Sequence, residues 1–137
     1  MSNLNEDQFG AYRGNHQPNP SGYQMHEAEK AYPDVHEHPE YYDFDAPGYA
    51  RSLRDIRRAH GDPEAGMNIY RAAPKGVTRI NEGDWVTTSR EYAQQHGKHP
   101  TDPKQDMPVI SRHVKAKDLR APGDDVNEWG YFPEKNP

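Results

Sequence analysis

The sequence predicts an α+β domain in which antiparallel sheets are joined by loops and accompanied by a few short helices. Short runs of β-branched and aromatic residues recur between loops rich in Gly, Pro and Asp, which is typical of strands in antiparallel sheets. Only two segments, one after Pro47 and one after Ser89, carry helix signals. Because helices and strands do not alternate regularly, a repeated βαβ unit is not indicated.

The composition limits the chain to one domain with a thin core. Its 137 residues are the length of a single domain and contain no internal repeat. Leu, Ile, Val and Phe together number only 16, whereas there are 9 Tyr and 2 Trp. We therefore expect burial to rest on aromatic rings, each of which removes about 150 to 250 Å² from water.

The residue types also exclude several classes of protein. There is no cysteine, hence no disulfide framework and no thiolate metal site, and no apolar stretch reaches signal-peptide or transmembrane length. The net charge is -5, with -7 in residues 1–50 and +2 in residues 51–137, so the basic surface needed for general nucleic-acid binding is absent. We expect a soluble, cytoplasmic protein that does not contact membranes.

The N-terminal third divides into two segments. Residues 1–24 are rich in Asn, Gly, Pro and Gln and almost free of aliphatic residues, which predicts a flexible polar arm. Residues 25–47 add aromatic rings among acids and prolines, which predicts an extended segment that packs on the folded body. Residues 25–137 together are expected to form the single domain.

The strongest helix signal follows this segment. Pro47 is suited to a first helical position, and Tyr49, Leu53 and Ile56 have the spacing of one helix face. Arginines occupy the opposite face, and Gly61 is suited to ending the helix.

Four strands and a second helix are predicted in the rest of the chain. Residues 67–73 and 85–89 are β-rich runs separated by a polar loop, and Ser89 can cap a short helix that ends at Gly97. Residues 108–116 alternate as a half-buried strand does, and 126–132 form the last predicted strand.

That last strand contains Glu128, a carboxylate at the start of an aromatic run. Burying an unpaired charge costs several kcal/mol, so such a residue needs a partner or a use. Two other polar features fall on predicted strands: Arg71, and the hydroxyl run Thr87, Thr88 and Ser89. Each feature alone is common in strands, and only the ordered set is informative.

The set has the groups that cleavage of the glycosidic bond of NAD requires. The nicotinamide leaves without a general acid, while the ribose becomes an oxocarbenium-like cation that a fixed carboxylate can stabilise. A guanidinium offers the pyrophosphate a planar fork, and hydroxyls can hold the carboxylate in one rotamer. The rings of Trp85 and Tyr92 can stack on the nicotinamide.

In this order Arg71, the Thr87–Ser89 run and Glu128 resemble the R-S-E signature of mono-ADP-ribosyltransferases. Residues 66–133 look like the small transferase-type domains of actinobacterial phages and their hosts. The resemblance implies a split β-sandwich of two antiparallel sheets around an NAD cleft. It also implies that Arg71 binds the phosphate and ribose of NAD as co-substrate, that the hydroxyl run supports the site, and that Glu128 is catalytic.

The same resemblance implies a biological role and leaves alternatives open. The acceptor would be a protein rather than a nucleic acid, and a phage effector would act on a host or defence protein in the host cytoplasm. Position 126, two before the glutamate, is Val, where arginine-modifying relatives carry Glu. Three alternatives follow. Asp125 or Asn127 can take the role of the residue at position 126, the acceptor can be a group other than arginine, or the acceptor can be water, as in an NAD glycohydrolase. A non-enzymatic binding module on the same fold is a further alternative.

No metal site is predicted from the sequence. His36 and His38 lie two residues apart among acids, and His60 stands near the predicted end of the first helix. Their spacing does not complete a recognisable tetrahedral set, and histidine is common in polar linkers. His113 is expected to face solvent.

Overall fold

The computed structural model describes residues 17–42 and 48–134, which form a mixed α+β fold with two small antiparallel sheets and a few helices, as the sequence predicts. Within these residues the α-helices are α1 (Tyr49–Ala59) and α2 (Arg90–Gly97), and the strands are β1 (Gly66–Ala72), β2 (Trp85–Val86), β3 (Val109–Lys115), β4 (Leu119–Arg120) and β5 (Trp129–Tyr131). Short 3-10 helices span Met25–Lys30, Pro39–Tyr42, Pro103–Gln105 and Ala116–Asp118.

The two sheets meet at one point. β1 pairs antiparallel with β3 from Gly66↔Lys115 to Ala72↔Val109, and β5 pairs antiparallel with both β2 and β4. Between them, Tyr70 and Thr87 exchange both backbone hydrogen bonds, at 2.8 and 3.0 Å. The strand order across both sheets is therefore β3, β1, β2, β5, β4.

Helix α1 packs on the core with the predicted face. Ile56 is buried, and Tyr49 and Leu53 are half-buried against the core. The helix begins at Tyr49, after the N-cap residue Gly48, so its start lies later than predicted. Pro47 is outside the described residues.

The N-terminal segment differs from the extended segment that was predicted. It contains the 3-10 helices Met25–Lys30 and Pro39–Tyr42, because the run MHEAEKA consists largely of residues that favour helices. The ring of Tyr32 packs edge-on to that of Trp129, with centroids 6.1 Å apart. The segment is therefore part of the core, to which it contributes Met25, Ala28, Tyr32 and Val35.

Residues 1–16 of the predicted arm lie outside the described residues, but its last residues contact the body. Gln24 forms a β-bridge with Arg120, and Ala121 N donates to Tyr23 O over 2.8 Å. Arg120 Nη1 also donates to Gly22 O over 3.0 Å. Backbone pairing of this kind needs no aliphatic side chains, so composition did not predict it.

The strands β2 and β5 are shorter than predicted. The run 85–89 is a strand only at Trp85–Val86, and 126–132 only at Trp129–Tyr131. Before β5 the side chain of Asp125 accepts a hydrogen bond from Asn127 N over 2.8 Å, which favours a turn over a strand. Across the two described ranges, none of the helices combines the length and the apolar character needed to cross a bilayer.

Candidate active site

Glu128 lies directly before β5, not within a strand as predicted. The last pair between β2 and β5 is Val86↔Trp129, and continuing this register sets Thr87 opposite Glu128. The side chain of Glu128 is 22% exposed.

Helix α2 supplies two side chains to this carboxylate. The hydroxyl of Tyr92 donates to Oε1 of Glu128 over 2.9 Å, and Nε2 of His96 lies 3.8 Å from the same oxygen. Tyr92 and His96 are four residues apart and therefore share one helix face. Burial and the charge of Glu128 raise the pKa of Tyr92 well above its usual value, so the hydroxyl remains a donor at neutral pH.

The hydroxyl run is buried and organises the start of α2. Oγ1 of Thr87 accepts from Ser89 N over 3.1 Å, and Oγ of Ser89 accepts from Tyr92 N over 3.2 Å as the N-cap of the helix. Through this cap Ser89 helps to position the turn of α2 that carries Tyr92. Oγ1 of Thr88 is buried and has no hydrogen-bond partner in the described part of the chain.

Gly48 brings the first turns of the two helices together. Its φ is +95°, and a Cβ added there would lie 2.7 Å from Oγ of Ser89 and 2.8 Å from Cβ of Tyr92. No other residue type fits this conformation and this contact without displacing the start of α2.

The loop that carries Glu128 is held from the core side. The hydroxyl of Tyr32 donates to Asp125 O over 2.9 Å and accepts from Gly123 N over 3.3 Å. Nε1 of Trp129 donates to Val126 O over 2.9 Å. These bonds tie the backbone just before Glu128 to two buried rings.

The three residues before Glu128 differ in what they can offer a substrate. Val126 is 2% exposed, and Asn127 is fully buried, with its Oδ1 accepting from Ser52 Oγ over 2.5 Å. Asp125 is half-buried, and burial raises its pKa, with the charge of Glu128 acting in the same direction. Among these three residues, only Asp125 has a side chain that can reach solvent at the site.

Arg71 is near the site but does not share the contacts of Glu128. Its Nε lies 4.0 Å from Oδ2 of Asp84, and its side chain is 30% exposed. The bridge between β1 and β2 sets Arg71 opposite Val86, which in turn pairs with Trp129, the residue after Glu128.

The two aromatic residues proposed for stacking have different surroundings. Trp85 pairs with Gly130 and is half-buried. The hydroxyl of Tyr92 donates to Glu128, a contact that the sequence did not predict. His96 was missed as well, although its spacing of four from Tyr92 was a signal that the two residues face the same neighbour.

The chain matches no protein-family model, no curated protein and no solved structure.

Proposed function

We propose that the chain is an NAD-dependent mono-ADP-ribosyltransferase in which Glu128 is the catalytic carboxylate. The observation that carries this proposal is the arrangement of Glu128 itself. It is a partly exposed carboxylate directly before β5, and one of its oxygens accepts a hydrogen bond from the Tyr92 hydroxyl.

This arrangement suits the chemistry of NAD. When the bond from ribose C1′ to nicotinamide breaks, the nicotinamide leaves with the electron pair and the ribose gains positive charge. A preoriented carboxylate stabilises that charge without reorganising during the reaction. An acceptor then attacks C1′ and loses a proton. The hydrogen bond from Tyr92 gives Glu128 one orientation for this task.

The strand order supports the same proposal. Arg71, the run that begins at Thr87, and Glu128 are on or next to three neighbouring strands, β1, β2 and β5. A fold with two antiparallel sheets is compatible with the split β-sandwich that this proposal implies. In this proposal Arg71 binds the pyrophosphate of NAD by exchanging its loose contact with Asp84 for a bidentate one.

A second function, NAD glycohydrolase, is favoured by the residues before Glu128. Val126 is buried and apolar, so it cannot orient an acceptor nucleophile. Water then becomes the acceptor, and free ADP-ribose is the product. Asp125 is the side chain available to orient that water, because Asn127 is buried and bonded to Ser52.

Incubation with NAD labelled in its adenylate group tests these proposals. The purified protein is assayed for nicotinamide release with and without cell lysate, beside Glu128→Gln and the control Glu91→Gln, which alters an exposed glutamate of α2. We expect release by the wild type and the control but not by Glu128→Gln. Label on a macromolecule identifies the transferase, and release without labelling identifies the glycohydrolase. Absence of nicotinamide release in every sample contradicts both and leaves a binding module.

A further inference from the structure

A second group of ionisable side chains is found where the N-terminal segment meets the end of α1. Its members are Glu29 in the 3-10 helix Met25–Lys30, His36 in the turn that follows, and His60 just beyond α1. One ligand atom from each residue lies within 4.8 Å of the other two. None of these residues contributes to the candidate active site.

The ligand atoms of this cluster are farther apart than hydrogen-bonded atoms, and their spacing is close to that of two ligands bound to one metal ion. Oε1 of Glu29 is 3.6 Å from Nε2 of His36 and 3.9 Å from Nε2 of His60. Hydrogen bonds between such atoms measure about 2.7 to 3.2 Å. Two ligands of a tetrahedral zinc ion, each bound at about 2.0 to 2.2 Å, lie about 3.3 Å apart. A small closure of the cluster therefore yields metal-ligand geometry.

Two of the three ligand atoms are also buried without a hydrogen bond. Oε1 of Glu29 and Nε2 of His36 have no hydrogen-bond partner among the described residues. Buried polar atoms in this state are rare in folded proteins and call for an explanation, of which a bound ion is one. Here both atoms point to the same place.

We propose that Glu29, His36 and His60 bind a divalent transition-metal ion, with Zn²⁺ as the best fit and water completing the coordination. Two imidazoles and one carboxylate form a ligand set that suits such an ion. The site lies between segments that are far apart in sequence, so a bound ion links the N-terminal segment to α1.

The rings of His36 and His60 are stacked face to face. Their centroids are 3.7 Å apart, and their planes differ by 13°. An ion bound to both Nε2 atoms requires one ring to tilt, and His60, whose side chain is 50% exposed, has room to do so. Gly61 N donates to His26 O over 3.0 Å, so the backbone next to His60 is already fixed to the N-terminal segment.

The sequence did not predict this site, because its spacing suggested His36 and His38 as neighbours rather than His36 and His60. His36 and His38 are two residues apart, but His38 instead contacts Glu40 at 2.9 Å and stacks on Tyr41. The partner of His36 is His60, which the fold brings in from the other side of α1.

Zinc titration of the full-length, tag-free chain tests the proposal. After treatment with a chelator, the wild type is titrated with ZnCl₂ by calorimetry, beside His60→Ala, Glu29→Gln and the control His38→Ala. We expect one ion per chain, with affinity about tenfold or more weaker in the two cluster variants and unchanged in the control. The control is needed because the chain contains 8 histidines that can bind zinc weakly.

Cobalt provides a second readout that does not depend on stability. Co²⁺ bound in the cluster is expected to give visible absorption bands in the wild type and in His38→Ala, but not in His60→Ala. Circular dichroism of the metal-free variants checks that each is folded. The proposal is overturned if no stoichiometric binding is seen, or if His60→Ala binds Zn²⁺ as tightly as the wild type.

Discussion

The hydroxyl of Tyr92 donates a hydrogen bond to the carboxylate of Glu128. Tyr92→Phe keeps the ring and removes only this donor, so we expect kcat for nicotinamide release to fall about tenfold to a hundredfold, since a hydrogen bond to a charged group contributes about 1.5 to 3 kcal/mol. KM for NAD should change little, because the ring remains in place. Steady-state kinetics beside Tyr41→Phe, an exposed tyrosine outside the site, make the comparison. An unchanged kcat would show that Glu128 does not need the hydroxyl.

Asp125 carries a cost of burial that depends on pH. Its folded-state pKa is raised above the ordinary 3.8 by burial, so above that raised pKa the carboxylate is charged in both states and only the folded state bears the cost of burying the charge. Asp125→Asn should therefore raise the free energy of unfolding at pH 7. The gain should disappear as the pH falls below 3.8, where the aspartate is protonated in both states. Urea unfolding at several pH values measures this, and the exposed Asp124→Asn should show no comparable trend.

At the scale of residues, the sequence indicated the groups but not their contacts. Glu128 and the Thr87–Ser89 run stood out because charges and hydroxyls at strand ends need partners. Which partner each one finds depends on the helix that follows. Ser89 caps α2, and this cap rather than the strand brings Tyr92 to the carboxylate.

At the scale of elements, the contact between the starts of α1 and α2 rests on Gly48. Gly48→Ala should lower the free energy of unfolding by about 2 kcal/mol, because a side chain there has to adopt φ +95° and meets Ser89 and Tyr92. Nicotinamide release should fall as well, since α2 carries Tyr92. Urea unfolding and the release assay measure the two effects. Gly76→Ala is the matched control, because its φ is +94° and a Cβ there meets nothing within 4 Å. Equal losses in both variants would mean that backbone strain alone, rather than the contact with α2, is responsible.

Regular elements were predicted well, and their pairing was not. β1, β3 and α2 lie within one or two residues of the predicted bounds, because alternation and the Ser89 cap are local signals. β2 and β5 are shorter than predicted, because some residues with high strand propensity next to them lie in turns or bends instead. The bridge between β1 and β2, which sets Arg71 opposite Val86, depends on register and has no local signal.

At the scale of the whole molecule, the core depends on rings from both ends of the described chain. Tyr32 packs against Trp129 and Tyr42, and its hydroxyl bonds to the backbone of Asp125, 93 residues later. Tyr32→Ala should therefore lower the free energy of unfolding by about 3 to 5 kcal/mol, as for other large buried aromatic side chains. Thermal or urea unfolding measures the loss. Tyr23→Ala, at an exposed ring near the end of the arm, should lose far less, and equal losses would contradict this account of the core.

Composition predicted that aromatic residues would form the core, but not which segments would meet there. The acidic segment before α1 was expected to pack on the body because its rings needed a surface. Its residues Met25, Ala28 and Tyr32 are themselves core positions, and Tyr32 packs there against Trp129 from the other end of the described chain. Single-sequence patterns do not specify such long-range contacts.

The central claim is that the carboxylate of Glu128 stabilises the transition state of NAD cleavage rather than NAD binding. The most direct measurement compares the wild type and Glu128→Gln twice: by NAD binding in calorimetry and by nicotinamide release in a single turnover. We predict a similar Kd for both proteins and a rate of release at least about 10²-fold lower in Glu128→Gln. Equal rates of nicotinamide release in the two proteins would contradict the claim.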